Sequence, residues 1–295
     1  MKICYISVAT FPSRTAHTSY TSNLARALAR NCDHVRVIGW EGLGRDPCVD
    51  EATATDNLAY LLLRGPSASA SRRVWAMGFA TVRHAPMWSA RVDRVITHSP
   101  VVAAALRTRK IPFVLDVHGT SDRARITRYA LSGNVVRGCI FNSQQMSAIC
   151  QKAWGVEHLP GLVLGSGINY AQLTNLPPRS LALAESGISP DRMVIGYIGS
   201  LGPGRGIDLL LNAALAMQAQ HPSLVWLFVG GNPDDVAKWQ AYAVDLGLPP
   251  NCFCFVGHQQ QDSLARFYSL ADILVAPYSR LIKDANTMAP MKLVE

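Results

Sequence analysis

The stretch GYIGSLGPGRGIDLLLNAA, residues 196–214, runs from an apolar strand through a glycine-rich turn straight into an apolar-periodic helix. Glycines let a backbone approach a ligand closely, a helix N-terminus offers unbonded N–H groups, and Arg205 adds a fixed cation. Together these could cradle a diphosphate, although a tight turn with a surface arginine has the same composition. Downstream, LVWLFVGG, NCFCFVG and ADILVAPY read as strands alternating with helices near 234–246 and 260–270. Upstream, KICYISVA, HVRVIGW, AYLLLRG, RVITHS, PFVLDVHG, CIFNS and HLPGLVLG alternate with helices near 19–31, 71–90, 101–110 and 144–154. This rhythm predicts parallel sheets with helices on both faces. The Gly, Ser, Asn and Pro content of 165–190 interrupts it and reads as a connection. The expected fold class is α/β: two Rossmann-like doubly wound domains, 1–170 and 191–295, joined by a linker at 171–190 and facing a cleft lined by the carboxyl ends of their strands.

Size and composition agree with two cores, since 295 residues with 49% hydrophobic and 16% charged side chains make a globular chain. No run approaches the roughly 18 apolar residues that span a bilayer, and MKICYISVATFPS lacks a signal core, so a cytoplasmic location is expected. The seven cysteines are odd in number and scattered, which suits buried thiols in a reducing compartment. In NCFCFVG, Cys252 and Cys254 would share one strand face with no second pair at ligand spacing, so no metal site is expected. Residues 1–137 hold 19 Lys/Arg against 9 Asp/Glu, whereas 138–295 hold 9 against 11. That asymmetry points the first half toward something anionic, such as a membrane leaflet or a phosphorylated acceptor, unless it is simply a solvated arginine-rich surface. The dispersed arginines and the lack of a base-stacking platform argue against nucleic acid.

The first loop, 10–19, has no G-x-G-x-x-G, which disfavours a nicotinamide or flavin site and leaves an NAD(P)-linked oxidoreductase as the weaker alternative. His118 ends the strand PFVLDVHG and should emerge at the cleft rim, as a ligand contact or as a satisfied turn residue. Asp116, two residues earlier, should face the same side.

GYIGSLGPGRGIDLLLNAA, LFVGG, FVGH, LADILVAPY and APMKLVE follow one another in the order and spacing of glycosyltransferase family 4, which this chain therefore resembles. VLDVHG, FNSQQM and VLGSGIN extend the likeness more weakly into the first half. The resemblance implies the GT-B fold, a nucleotide-sugar donor held by the second domain, a glycan or lipid-linked acceptor held by the first, and transfer with retention of configuration, without metal or further cofactor. It gives Arg205 the donor diphosphate, with Gly199, Ser200 and Gly204 around it, and makes His118 the residue that orients the donor sugar. Ser200 stands where the family commonly has a second basic residue, and Lys292 is the candidate replacement. Glu295 matches the second glutamate of E-x7-E, which holds ribose hydroxyls, whereas Thr287 stands at the first. Gly230 would edge the donor cleft, and Gly257 and His258 would line the nucleobase pocket. In the first loop His17, Thr18 and Tyr20 would contact acceptor, although Thr18 or Ser19 could equally cap the following helix.

The resemblance also implies roughly 70–100 further residues beyond Glu295, so the second domain is expected to be incomplete and the last strand to lack helical cover. A second reading, motivated by Ser200 and Thr287, is a non-catalytic nucleotide-sugar binder or partner subunit. The basic first half further suggests peripheral contact with an anionic membrane.

Overall fold

The computed structural model describes all residues except 12, 14, 15, 43–56, 66–68, 120–122, 166, 168–172, 174, 260–262 and 279–295. The described residues form two compact units, one running to Gly167 and one following it.

The first unit is built on seven parallel strands in the order β3-β2-β1-β4-β5-β6-β7. They are β1 (Lys2–Phe11), β2 (His34–Glu41), β3 (Leu58–Leu63), β4 (Arg94–Thr97), β5 (Phe113–Val117), β6 (Val136–Phe141) and β7 (Gly161–Val163). The helices are α1 (Ala16–Ala29), α2 (Ala70–Trp88), α3 (Pro100–Thr108), α4 (Ala124–Leu131) and α5 (Gln144–Trp154). Strand order reverses between β1 and β4, the position where open α/β sheets bind ligands. Period-two alternation divides the core by face. Cys4, Ile6, Leu115 and Val117 pack with α2, α3, α4 and α5 residues such as Met77, Leu106, Leu131 and Met146. Ile3, Tyr5 and Ile96 pack instead beneath α1 with Ala25 and Ala29. That parity brings Tyr5 and Asp116 to the α1 side.

The second unit has four parallel strands in the order β10-β9-β8-β11: β8 (Met193–Ile198), β9 (Leu224–Val229), β10 (Phe253–Val256) and β11 (Ile273–Leu274). Its helices are α6 (Arg179–Ser186), α7 (Ile207–Gln218), α8 (Pro233–Asp245) and α9 (Ala265–Leu270). All six residues of β9, LVWLFV, are buried, as a continuous apolar run between two neighbours requires. One face packs against α7 and α8 through Leu210, Leu211 and Ala243, the other against α6 and α9 through Leu183, Phe267 and Leu270.

Several expectations need correction. Within 171–190, read as linker, α6 is a helix whose Ala182 and Leu183 are buried against Val194 and Val225. Its four apolar residues are consecutive, Leu181–Ala184, and show too little helical periodicity to outweigh the flanking prolines. Cys252 and Cys254 do not share a face: Cys252 belongs to a 3-10 turn preceding β10 and packs on the α7 side, while Cys254 packs on the α6 side. Helix α1 starts at Ala16, so Thr18 and Ser19 lie inside it and cannot cap it.

Candidate functional site

In the second unit the carboxyl edge of the sheet gathers the glycine-rich segments. Beyond β8, Gly199 N–H donates to the Val229 carbonyl (2.8 Å), and beyond β9, Gly230 N–H donates to the Val256 carbonyl (2.8 Å). His258 N–H then bonds the Gly231 carbonyl at 3.0 Å, so the ends of β8, β9 and β10 are stitched into one rim. Glycine is obligatory where these backbones touch. Gly230 has φ +124°, and a Cβ there would lie 2.1 Å from the Gly199 carbonyl oxygen. At Gly206, φ +76°, a Cβ would lie 2.2 Å from the Pro277 carbonyl oxygen. Gly206 is the N-cap of α7 and supplies no side-chain cap, which leaves the first-turn N–H groups to another acceptor.

Arg205 sits immediately before that cap, half-buried, with its guanidinium 5.6 Å from the centroid of the Tyr278 ring that follows β11. A cation over an aromatic face is held without losing its charge. The Tyr197 hydroxyl donates to the Ser200 carbonyl (2.8 Å) and Trp239 Nε1 to the Leu201 carbonyl (2.8 Å), so a buried tyrosine and a half-buried tryptophan fix the turn. Burial raises the Tyr197 phenol, and the nearby Arg205 charge opposes that rise. Of the residues read as donor contacts, Gly199, Ser200, Gly204, Arg205, Gly230, Gly257 and His258 lie at this edge, with Ser200 and His258 exposed. Lys292 and Glu295, like Thr287, lie outside the described residues.

In the first unit a polar cluster occupies the α1 side of the sheet beside the strand-order reversal. Asp116, nearly fully buried, accepts from the Tyr5 hydroxyl at 2.8 Å and from His118 Nε2 at 2.9 Å, both on Oδ2. Tyr20, from α1, stands edge-on to His118 with ring centroids 4.3 Å apart, and His98, just beyond β4, lies 5.8 Å from His118. Tyr5 and Tyr20 both have phenols pushed upward, first by burial and then by the Asp116 charge. His118 is a third exposed, so the cluster opens to solvent through it.

Sequence reasoning named His118 and Tyr20 separately, and here they touch. It missed Tyr5 and His98. A tyrosine in the aliphatic strand KICYISVA and a histidine ending VITHS were the available signals, but their meeting depends on the order β1-β4-β5. Thr18 is buried and its hydroxyl donates to the Thr10 carbonyl (3.0 Å), a bond that ties α1 to the first loop. His17 lies in the first turn of α1, its side chain outside the described residues. Among the described residues no group of three or more His, Cys, Asp or Glu side chains is placed to hold a metal ion.

Comparison with known proteins adds the following. The family model described as Glycosyltransferase Family 4 matches residues 18–172, and that described as Glycosyl transferases group 1 matches 192–295. D-inositol 3-phosphate glycosyltransferase of Mycobacteroides abscessus is 31% identical over 99 residues, covering 34% of this chain and 22% of that protein. Lipopolysaccharide 1,2-N-acetylglucosaminetransferase of Salmonella typhimurium is 26% identical over 133 residues, covering 43% of this chain and 35% of that protein. The aligned stretches thus span between about a fifth and a third of these relatives. Among solved structures, WaaG, a glycosyltransferase involved in lipopolysaccharide biosynthesis, matches with a TM-score of 0.69 at 17% identity over 93% of this chain and 75% of WaaG. Anabaena HepE in complex with UDP matches with a TM-score of 0.69 at 17% identity over 100% of this chain and 83% of its own. At such identities the likeness is one of fold, and the fold is that of GT-B enzymes.

Proposed function

The chain belongs to glycosyltransferase family 4, and from that premise we propose that it transfers a sugar from a nucleotide diphosphate donor to a glycan or lipid-linked acceptor, retaining configuration and using no metal. The observation that carries this reading is Arg205 immediately before the α7 N-cap, whose first turn has no side-chain cap, on a rim where Gly206 and Gly230 let the backbone segments close tightly on one another. As the bond between the sugar C1 and the phosphate oxygen breaks, negative charge grows on the diphosphate. A guanidinium and helix-terminal N–H groups already in place stabilise that charge without reorganisation. The acceptor oxygen bonds C1 on the face the leaving group departs from, and its proton passes to the diphosphate. His118 orients the sugar, Lys292 supplies a second cation, Glu295 holds the ribose, Gly257 and His258 flank the base, and Tyr20, with His17 and Thr18 on the same turn of α1, serves the acceptor side.

The UDP complex of HepE supports a nucleotide donor, and the relative named for lipopolysaccharide supports a glycan or lipid-linked acceptor. Among the described residues no helix is long and apolar enough to cross a membrane. We place the protein in the cytoplasm, in peripheral contact with an anionic leaflet. Across α2, α3 and α4 the sequence carries six arginines and no acidic residue, and these helices border an apolar groove of about 380 Å³ lined by Trp75, Phe79, Val82 and Tyr129. Nucleotide release from UDP-, GDP- and ADP-sugars in the presence of EDTA tests the catalytic reading. Release from one class, lowered about 100-fold or more in Arg205→Ala, supports it. No release from any of them, or release that requires a divalent metal, contradicts it.

A further inference from the structure

Arg205 has to present its charge from a fixed place, yet nothing ionic fixes it. Among the described residues no carboxylate pairs with Arg205 and no side-chain hydrogen bond holds its guanidinium. A long, flexible side chain left so would spread over several rotamers, and ordering it at each turnover would oppose binding. What lies against it is the ring of Tyr278, with the guanidinium carbon 5.6 Å from the ring centroid. That ring is itself placed by backbone. Val275 N–H donates to the Gly196 carbonyl at 2.9 Å, which carries the pairing of β11 with β8 past Leu274. Two residues on, Pro277 lies against the α7 N-cap: a Cβ on Gly206 would fall 2.2 Å from the Pro277 carbonyl oxygen and 3.1 Å from its Cβ. Arg205 and Tyr278 are the chain neighbours of those two touching residues, so their side chains start from one backbone contact and not from two independent loops. Burial raises the Tyr197 phenol, the Arg205 charge lowers it and Tyr278 raises it, so the three side chains form one cluster before α7. We propose that Tyr278 is a positioning residue for sugar transfer, its ring holding the Arg205 guanidinium beside the first turn of α7 without cancelling its charge.

The choice of an aromatic ring has a chemical consequence. A carboxylate in that place would orient the guanidinium equally well, but it would neutralise the cation and occupy its donors, and a diphosphate would have to displace it. An aromatic face attracts the cation through its quadrupole and keeps water off one side. The five N–H donors of a guanidinium all lie in its plane, so contact through the face uses none of them. Resting on the glycosyltransferase reading, the donors at the edge are then left for the diphosphate oxygens. The benefit falls where charge develops. As the bond between C1 and the phosphate oxygen breaks, a cation already oriented stabilises the leaving group with no reorganisation of its own.

The test uses the intact chain with two substitutions: Tyr278→Leu removes the aromatic face and keeps apolar bulk, whereas Tyr278→Phe keeps the face and removes the hydroxyl. In protein carrying 15N-labelled arginine, the Nε–H of residue 205, assigned by its loss in Arg205→Ala, should be shifted upfield by the ring current of Tyr278. Tyr278→Phe should preserve that shift, and Tyr278→Leu should return it to the position of a solvent-exposed arginine. A wild-type Nε–H already at the exposed position overturns the proposal whether or not either variant folds. In nucleotide release, Tyr278→Leu should lower kcat about 3- to 10-fold with the donor KM changed less than about twofold, and Tyr278→Phe should retain the wild-type rate. A loss in Tyr278→Phe as large as in Tyr278→Leu would assign the effect to the hydroxyl and overturn the proposal. In an Arg205→Ala background Tyr278→Leu should add no further loss, and an equal loss there would show that the ring acts independently of Arg205. Wild-type protein that shows the upfield shift yet releases nucleotide from no sugar donor would contradict the transferase reading while the contact between Arg205 and Tyr278 stands.

Discussion

A methyl group on Gly230 would sit 2.1 Å from the Gly199 carbonyl oxygen, on a backbone at φ +124° that side-chain-bearing residues avoid. Gly230→Ala should therefore destabilise the second unit by about 2–4 kcal/mol, measured by chemical denaturation. A loss under about 0.5 kcal/mol would mean that the strand ends at Gly199 and Gly230 part easily, and would undo the argument for a tight diphosphate rim. The composition GSLGPGRG announced a turn of this kind, and Gly199, Gly204 and Arg205 were legible as its parts. What the residues did not disclose was why each glycine is needed, because the clashing atoms belong to segments distant in the chain, Gly199 against Gly230 and Pro277 against Gly206. Tyr5 and His98 escaped for the same reason. Neither is marked out by its local sequence, and only the β1-β4-β5 adjacency makes Tyr5 a partner of Asp116 and His98 a neighbour of Tyr5.

At the level of elements, strands came through from apolar runs bounded by Gly and Pro, and the long helices from their periodicity. Helix α5 shows how local chemistry sets both ends: Ser143 Oγ accepts from Met146 N–H at 3.0 Å, and Gly155 closes the helix at φ +68°. Ser143→Ala should cost about 1 kcal/mol in thermal or denaturant unfolding, since the cap satisfies one of the first-turn N–H groups. An unchanged midpoint would show that solvent replaces the cap at no cost. The short elements were the ones misread. Helix α6 has eight residues and hides among prolines, so its identity depends on burial of Ala182 and Leu183 against a sheet that local sequence does not display. Strand β10 begins one residue later than its apolar run suggests, and that single-residue offset sends Cys252 and Cys254 to opposite faces.

At the level of the whole molecule, the alternation of strands and helices along the chain was enough to give two parallel sheets, and each has the order expected of a doubly wound unit. Strand order itself was not legible in any residue. Charge acts at this scale too: net +8, concentrated in the first half, is a property of the surface and not of the fold. The protein should sediment with anionic vesicles at low ionic strength and be released by salt, and Trp75→Ala with Phe79→Ala should weaken that binding without altering nucleotide affinity. Equal sedimentation with neutral vesicles would contradict an electrostatic contact. The central claim, a nucleotide diphosphate held against the second unit by Arg205, is tested most directly by calorimetric titration of wild type and Arg205→Ala with UDP, GDP and ADP in EDTA. The account predicts that one nucleotide binds the wild type and that the variant loses at least about tenfold in affinity, as removal of a charge-assisted contact requires. Binding of equal strength to both proteins would contradict it.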